Sequence, residues 1–236
     1  MNAFAVVILA AGASSRMGRP KLLLPWRGTT VVGHLISQWR ELGAAQIAIV
    51  VQPGIPSAVG AGEGGRLDPP KSDDGGRPDA GDWGKTVDPA LAAELDRLGF
   101  PQTDRIVNPQ PERGMFSSIV CAANWPAWRT GISTWAIALG DQPHLRTETL
   151  RRLLNFAALH ADAVCQPVSG GHVAHPAIVP RPVFDLLKTA RANSLKDFLK
   201  LNAGRSVQVE INDPGLLLDL DTPEDYIKAQ GSISAE

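Results

Sequence analysis

The pattern of apolar and polar residues divides the start of the chain into a strand, a helix and a second strand. Residues 4–9 form an uninterrupted apolar run, which is typical of a central parallel strand covered on both faces. Thr30 is a suitable N-cap for a helix over residues 31–42, and Gly43 is a suitable end for it. Residues 46–51 form a second run, rich in β-branched side chains. The pattern predicts a βαβ unit with a parallel sheet and a right-handed crossover.

The same succession of apolar runs and helical spacings continues to the end of the chain. Further strands are predicted at residues 105–107, 135–139, 163–168, 178–179 and, at a sheet edge, 206–211. Helices are predicted to begin at Asp88-Pro89, after Glu112, at a Thr147 cap, at Arg181, after Ser194 and at Thr222-Pro223. Alternating strands and helices predict a single α/β domain over residues 1–230, with a frayed tail at residues 231–236.

Residues 53–85 interrupt this succession. They consist largely of Gly, Pro, Asp and Ser with few large apolar side chains. Such a composition cannot bury enough surface to offset the entropy lost on ordering. We interpret the segment as a flexible insertion. A lid over a binding site is the alternative, since loops of this length are commonly either functional or disordered, and Trp83 is the side chain that could anchor it.

The composition limits the classes of partner and the compartment. The 236-residue chain carries 23 Lys and Arg against 24 Asp and Glu, a net charge of −1, without blocks of like charge. Neither nucleic acid nor an anionic membrane is therefore an expected partner. Cys121 and Cys165 lie in apolar runs, which indicates buried thiols in a reducing compartment. With neither a basic signal-peptide segment nor an apolar stretch of membrane-spanning length, we expect a cytoplasmic protein acting on a small molecule.

The loop after the first strand carries the strongest candidate chemistry. It reads AAGASSRMGRPK from Ala10 to Lys21. The spacing of Gly12, Gly18 and Lys21 does not fit a P-loop, and Ser14 stands where the dinucleotide-binding fingerprint requires glycine. Its small residues still let backbone N–H groups approach a polyphosphate, with Arg16 and Lys21 as cations beside it. An ordinary turn with a basic flank is the alternative.

Acidic residues follow two later strands. Asp141 comes directly after the strand at residues 135–139, at the edge where open α/β sheets bind ligands. Asp219 and Asp221 precede the Thr222 cap, and in an extended segment they share one face. Mg²⁺ is usually held by one or two carboxylates plus substrate phosphates. We therefore predict Mg²⁺ ligands at Asp141 and Asp221 with Asp219 in support, a solvated turn being the alternative for Asp141.

Two further segments carry polar side chains that could bind a ligand. Ser117 and Ser118 fall in the first turn of the helix after Glu112, where serine serves capping and ligand binding equally well. His172 and His175 are three residues apart in a glycine-rich segment, which is a weak metal pattern without further ligands nearby.

Together these motifs resemble the molybdenum cofactor nucleotidyltransferases, and most closely their cytidylyltransferase branch. The resemblance rests on LAAGASSRMGRPK, GMFSS, DQP and DLDTPED, and it spans nearly the whole chain outside residues 53–85. It implies a three-layer α/β/α, Rossmann-like fold of the GT-A-like kind with a mostly parallel twisted sheet. It also implies nucleotide contacts and acceptor contacts, the former at Leu9, Ala10, Ala11, Gly12, Arg16, Lys21, Ser117 and Ser118, the latter at His175 and Pro176. Ala174 replaces the glycine that usually precedes that His-Pro pair.

The resemblance further implies a reaction and its partners. An acceptor phosphate attacks the α-phosphorus of a nucleoside triphosphate and pyrophosphate leaves, with Lys21 stabilising the α-phosphoryl charge and Arg16 gripping the pyrophosphate. CTP is favoured over GTP because the loop opens with Leu-Ala-Ala-Gly, and molybdopterin or molybdenum cofactor is the implied acceptor. A sugar phosphate or another small phosphorylated acceptor is the alternative. A second alternative is a non-catalytic nucleotide- or cofactor-binding protein that delivers the cofactor, and transient contact with a molybdoenzyme or its chaperone is a further implied interaction.

Overall fold

The protein is built around one mixed, mainly parallel β-sheet. The structure, a computed structural model, describes residues 3–12, 17, 20–54, 87–202 and 205–233. The strands are β1 (Ala3–Ala10), β2 (Pro25–Trp26), β3 (Thr29–Thr30), β4 (Gln46–Val51), β5 (Arg105–Val107), β6 (Ile132–Leu139), β7 (Val164–Ser169), β8 (His172–Val173), β9 (Ala177–Pro180) and β10 (Ser206–Glu210). The main sheet has the order β10-β7-β9-β6-β1-β4-β5, with β8 paired to β7, while β2 and β3 form a separate ribbon.

The parallel strands place their carboxyl ends, and the loops that follow them, at one edge of the sheet. β1 runs parallel to both β4 and β6, β4 runs parallel to β5, and β10 runs parallel to β7. β9 is antiparallel to β6 and β7. The predicted alternation of strands and helices did not anticipate this reversal of direction. The carboxyl ends of β1 and β6 are therefore neighbours at the centre of the sheet, the edge at which such sheets bind ligands.

Helices cover both faces of the sheet, as the three-layer prediction required. They are α1 (Val31–Glu41), α2 (Pro89–Arg97), α3 (Met115–Asn124), α4 (Thr147–Leu159), α5 (Arg181–Leu187), α6 (Leu195–Leu201) and α7 (Pro223–Ile233). Side chains of α1, α2, α4 and α7 share one apolar core, and those of α3, α5 and α6 share the other. Residues 5–9 of β1 face the two cores alternately and are buried, as expected for a central strand, whereas Ala3 is exposed and Phe4 and Ala10 are half-buried. No helix among the described residues is long and apolar enough to cross a membrane.

Side-chain caps fix the start of several helices where the sequence predicted them. Thr30 accepts a hydrogen bond from the amide of Gly33 at 3.1 Å, and Asp88 accepts one from the amide of Leu91 at 3.0 Å. Thr222 and Asp225 bond reciprocally at the start of α7, which is a capping box in function. Thr147 is a correction, because it is the first residue of α4 rather than its cap. Its hydroxyl instead accepts a bond from the side chain of Gln38 at 3.3 Å.

The ends of the predicted insertion lie against each other. Most of residues 53–85, Trp83 included, lie outside the described residues, so the insertion and lid interpretations both stay predictions. Gly54 is buried, and a Cβ placed on it would lie 2.9 Å from both the amide nitrogen of Asp88 and the carbonyl oxygen of Val87. Gly54 and residues 87–88, which flank this segment, are therefore adjacent beside the start of α2.

Candidate active site

At the centre of the site, the carboxyl ends of β1 and β6 approach each other closely. The amide of Gly140 donates to the carbonyl oxygen of Leu9 at 2.9 Å. A Cβ on residue 140 would also lie 2.9 Å from that oxygen, so the backbones can meet only because residue 140 is glycine. Asp141 follows at once, which places its carboxylate at the carboxyl edge of the sheet, as predicted.

A second segment, Asp219 to Asp221, is joined to Asp141 by the main chain. The amide of Leu220 donates to the carbonyl oxygen of Asp141 at 3.1 Å, and the Leu220 side chain is fully buried. The amide of Asp221 donates to the carbonyl oxygen of Asp219 at 3.0 Å, which closes a three-residue turn. The prediction of an extended segment was therefore wrong. The two carboxylates consequently take different partners.

Lys21 brings the first strand's loop to these carboxylates. It opens a short 3₁₀ turn, Lys21–Leu23, and its Nζ lies 2.6 Å from Oδ1 of Asp221 and 3.7 Å from Oδ2 of Asp141. The Lys21 side chain is 14% exposed and that of Asp221 is 37% exposed, so solvent screens the contact in part. Three residues predicted from separate motifs thus meet at one point.

The carboxylate of Asp141 is held in an unfavourable environment. Burial, with the negative charge of Asp219 next and that of Asp221 last, raises the pKa of Asp141 to about 6, although the ammonium of Lys21 opposes the shift. Because the negative charges near Asp141 outnumber the positive ones, a further cation would stabilise its ionised form. This imbalance is an electrostatic reason for the site to bind a divalent metal ion.

Gln142 is a site residue that sequence reasoning missed. Its side chain is buried, and its Nε2 donates to Oδ1 of Asp219 at 2.9 Å. Asp219 therefore lies beside Asp141 and Gln142, whereas Asp221 lies against Lys21. The position of Gln142 directly after Asp141 was visible in the sequence, but no local pattern indicated its hydrogen bond to Asp219, 77 positions away.

The carboxylates suit a hard divalent cation. Oxygen atoms of Asp141 and Asp221 converge on one ammonium group, and carboxylate oxygen is the donor that Mg²⁺ and Mn²⁺ prefer. Within the described part of the chain, no three or more His, Cys, Asp or Glu side chains form a complete metal site on their own. Two carboxylates completed by substrate phosphates are the usual arrangement for Mg²⁺, so the residues fit the predicted ion.

The predicted phosphate loop is described only in part. Leu9 is buried and its carbonyl oxygen is used by Gly140, while Ala10 and Ala11 are half-buried and Gly12 is exposed. Arg16 lies outside the described residues, so its predicted role stays a prediction.

Ser117 and Ser118 belong to a separate cluster organised by Asn108. Asn108 is buried at the end of β5, and its Nδ2 donates to Oγ of Ser117 at 2.8 Å and of Ser118 at 2.9 Å. The Ser117 hydroxyl can in turn donate to the carbonyl oxygen of Gly114, 2.7 Å away. Ser118 is 2% exposed, so its hydroxyl serves the packing of α3. Asn108 is thus a second residue that the sequence analysis missed.

His175 and Pro176 stand near Asp219, at the carboxyl end of β6. Nδ1 of His175 lies 3.1 Å from the carbonyl oxygen of Ile137, which can only accept, so this nitrogen donates. Burial lowers the pKa of His175, against the opposing charge of Asp219, and a neutral ring keeps Nε2 as an acceptor. Pro176 is buried and His175 half-buried. His172 is exposed in β8 and, within the described residues, shares no metal-binding cluster with His175.

The cysteines are free thiols without the electrostatics of a nucleophile. Cys165 is buried as predicted, and burial raises its pKa to about 11. Cys121 is half-buried, which corrects the prediction that both side chains are buried. Burial raises the pKa of Cys121 as well, and its thiol faces Oδ1 of Asn108 at 3.6 Å.

Comparison with known proteins gives this site a family context. Residues 6–76 and 84–209 match the MobA-like NTP transferase domain. The chain is 25% identical over 233 residues to the molybdenum cofactor cytidylyltransferase of Escherichia coli K12, an alignment that covers 98% of this chain and 97% of that one.

Solved structures show the same architecture. Rv0371c from Mycobacterium tuberculosis H37Rv superimposes with a TM-score of 0.62 at 27% identity, covering 98% of both chains. A structure of Rv0371c in complex with manganese gives a TM-score of 0.60 at 24% identity, covering 98% of this chain and 99% of that one. The family match covers most of the sequence, and the fold agrees with it, so this chain belongs to the MobA-like NTP transferase family.

Proposed function

We propose that the protein is a Mg²⁺-dependent cytidylyltransferase of the cytoplasm that transfers CMP from CTP to the phosphate of molybdopterin or molybdenum cofactor. The observation that carries the proposal is the convergence of Lys21, Asp141 and Asp221 at the carboxyl ends of β1 and β6. One cation and two carboxylates at this edge are what an enzyme needs to bind and activate a metal-bound triphosphate.

The reaction requires positioning and charge stabilisation more than covalent chemistry. A phosphate oxygen of the acceptor forms a bond to the α-phosphorus of CTP, and the bond from that phosphorus to the bridging oxygen breaks, so that pyrophosphate leaves. Charge develops on the α-phosphoryl oxygens during the exchange. Preorganised cations at that point lower the barrier, because they need no reorganisation when the charge appears.

The chain's own residues divide this work. Lys21 faces the α-phosphoryl group and stabilises its charge, while Arg16 and the backbone from Leu9 to Gly12 bind the remaining phosphates. Asp141 and Asp221 hold the metal ion, with Asp219 in support. When bound, that ion neutralises phosphate charge. Mn²⁺ has the same preference for oxygen ligands, so it is expected to substitute for Mg²⁺.

The remaining predicted contacts complete the substrate sites. Ser117 and Ser118 lie in the first turn of α3, which begins at Met115, and Asn108 fixes that turn, so we expect the amino end of α3 to contact the nucleotide. His175 offers Nε2 and the adjoining Pro176 offers an apolar wall to the acceptor. Both residues lie at the carboxyl end of β6, on the same edge as Asp141.

The choice of base and acceptor rests on similarity. The support for CTP and for molybdenum cofactor is the full-length relationship to the Escherichia coli cytidylyltransferase and the Leu-Ala-Ala-Gly opening of the loop. A transient contact with a molybdoenzyme or its chaperone follows from the same proposal, because the product must reach its enzyme.

Pyrophosphate release tests the proposal directly. The protein is incubated with CTP, GTP, ATP or UTP, Mg²⁺ and either molybdenum cofactor or N-acetylglucosamine 1-phosphate. We expect release with CTP and molybdenum cofactor and not with the sugar phosphate. Release with GTP alone contradicts the choice of base, and release with the sugar phosphate alone contradicts the choice of acceptor. Nucleotide binding without release from any pair supports the delivery protein instead.

A further inference from the structure

Gln142 is a buried side chain whose amide reaches the carboxylate of Asp219. It is 4% exposed, and its Nε2 lies 2.9 Å from Oδ1 of Asp219 and 3.5 Å from the carbonyl oxygen of Leu216. Carbonyl and carboxylate oxygens only accept hydrogen bonds, so the amide nitrogen has to face them. The orientation of the Gln142 side chain is therefore fixed by its surroundings.

The other half of the same amide is left unsatisfied. Oε1 of Gln142 is buried and has no hydrogen-bond partner among the described residues. A buried oxygen without a donor loses its hydrogen bonds to water and forms none within the protein, which lowers stability. The chemistry that Gln142 contributes at this position is therefore its donated bond to Asp219.

Asp219 needs a donor because of where it lies. The next residue, Leu220, is bonded through its amide to the carbonyl oxygen of Asp141, so the Asp219 carboxylate is held close to that of Asp141. An anion at this place is repelled by its neighbours and attracted by any cation that Asp141 and Asp221 share. Without a bond to Gln142, the Asp219 side chain can rotate.

We propose that Gln142 is a positioning residue that holds Asp219 in one orientation beside the metal carboxylates Asp141 and Asp221. The bond from Gln142 keeps the negative charge of Asp219 beside Asp141 and Asp221, where it would add to the attraction for a cation, and without that bond the carboxylate can turn away from the site. This inference rests on the proposed metal-dependent function, and it adds to it a residue outside the ligand set. Partners of this kind typically change metal affinity or activity about 10- to 100-fold when removed.

The test is Mn²⁺ binding to the intact protein in the absence of nucleotide, measured by electron paramagnetic resonance. Gln142→Met keeps the length of the side chain and removes the donor, and we expect it to raise the Kd for Mn²⁺ about 10-fold. Gln38→Met is the matched control. Gln38 is also buried, its Nε2 donates to the carbonyl oxygen of Leu145 at 2.7 Å, and its Oε1 is unpaired, so it shares the chemistry of Gln142 without the contact to Asp219.

A double-mutant cycle shows whether Gln142 acts through Asp219. We expect Asp219→Asn to weaken Mn²⁺ binding, and the double variant Q142M/D219N to bind Mn²⁺ no more weakly than D219N alone. Additive losses would mean that the two residues act independently and would overturn the inference. If Q142M does not fold, Gln142→Asn keeps the amide but is one methylene too short to reach Asp219, and we expect it to weaken Mn²⁺ binding in the same direction.

The outcomes separate this inference from the proposed function. Equal Mn²⁺ affinity in wild type, Q142M and Q38M contradicts the positioning role while leaving the metal site intact. An equal loss in Q142M and Q38M also contradicts it, because the effect is then one of general stability. Wild-type protein that binds no Mn²⁺ without nucleotide contradicts the positioning role, whereas pyrophosphate release that continues in excess EDTA contradicts the metal-dependent function itself.

Discussion

The ammonium nitrogen of Lys21 lies 2.6 Å from Oδ1 of Asp221, a residue 200 positions further along the chain. The same nitrogen is 3.7 Å from Oδ2 of Asp141, so one cation is shared by two carboxylates, one after β6 and the other after the 3₁₀ turn Pro214–Leu217. A divalent ion bound by these carboxylates would take over much of this attraction. Lys21 would then be available to the phosphates, which links metal binding to the placement of the catalytic cation.

Replacement of Lys21 tests its role in the chemical step. We expect Lys21→Met to lower kcat about 10²-fold or more, since the loss of one donor to developing charge typically has that effect. The measurement is pyrophosphate release with saturating CTP and acceptor. Lys200→Met, at a side chain that is 67% exposed on α6, is the control and should leave kcat unchanged. Wild-type turnover in K21M would remove Lys21 from the mechanism.

The same variant tests the link between Lys21 and the metal. Without the ammonium, Asp141 and Asp221 lose a competing cation, so we expect Lys21→Met to bind Mn²⁺ more tightly than wild type in the absence of nucleotide. The expected change is a several-fold lower Kd, on the order of 1 kcal/mol for a partly exposed pair. Titration calorimetry at low ionic strength measures it. Weaker Mn²⁺ binding in K21M would show that the lysine helps to assemble the site instead.

Asp141 should lower the stability of the ligand-free protein at neutral pH. Burial and the charge of Asp219 raise the pKa of Asp141 from 3.8 to about 6, so the folded state binds this proton more tightly than the unfolded chain does. The resulting cost is absent below pH 3.8, grows as the pH rises, and is complete above pH 6. Asp141→Asn removes the charge and, with allowance for partial solvent screening, should stabilise the fold by about 1–2 kcal/mol at pH 7.5.

Urea unfolding at several pH values measures this effect. The gain in D141N should fall to about one third between pH 7.5 and pH 4.5, because the wild-type folded state takes up the proton over that range. Asp185→Asn is the control, since Asp185 pairs with Lys188 on an exposed surface, where such changes are small. D141N should also lose its turnover. Lower stability of D141N at pH 7.5 would contradict the raised pKa.

Gly140 tests the foundation of the site. A Cβ at Gly140 would meet the carbonyl oxygen of Leu9 at 2.9 Å, so Gly140→Ala has to push the ends of β1 and β6 apart. We expect a loss of about 1–3 kcal/mol in unfolding free energy, as in other overpacked interiors, together with a marked loss of kcat. Gly231→Ala is the control. Gly231 is exposed in α7, where alanine is the better helix former.

Deletion of the insertion separates its two interpretations. Gly54 packs against Val87 and Asp88, so a short Gly-Ser linker can replace residues 55–86 without moving the flanking chain. We expect the melting temperature to change by only a few degrees and kcat to stay the same. A folded deletion variant with much lower kcat would show that the segment acts as a lid over the site.

Local sequence determined most of the elements of this fold. Thr30, Asp88, Ser194 and Thr222 each start a helix because a short side-chain oxygen reaches an amide within the same turn. Apolar runs such as that of β1 predicted buried parallel strands for a similar reason, since both faces of a central strand have to be covered. Thr147 and Cys121 departed from prediction because neighbours distant in sequence decide the environment of each.

Sequence alone also predicted that Lys21, Asp141 and Asp221 belong to one site, from their positions in three motifs and the family resemblance of those motifs. Only the tertiary structure decided how they meet. Strand order placed the ends of β1 and β6 side by side, and the turn at Asp219 directed that carboxylate to Gln142 and Asp221 to Lys21. Such pairings join residues 77 and 200 positions apart, and no local pattern of polarity contains them. They arise when the apolar cores bring the strand ends together, after which charge and hydrogen bonding select the partners.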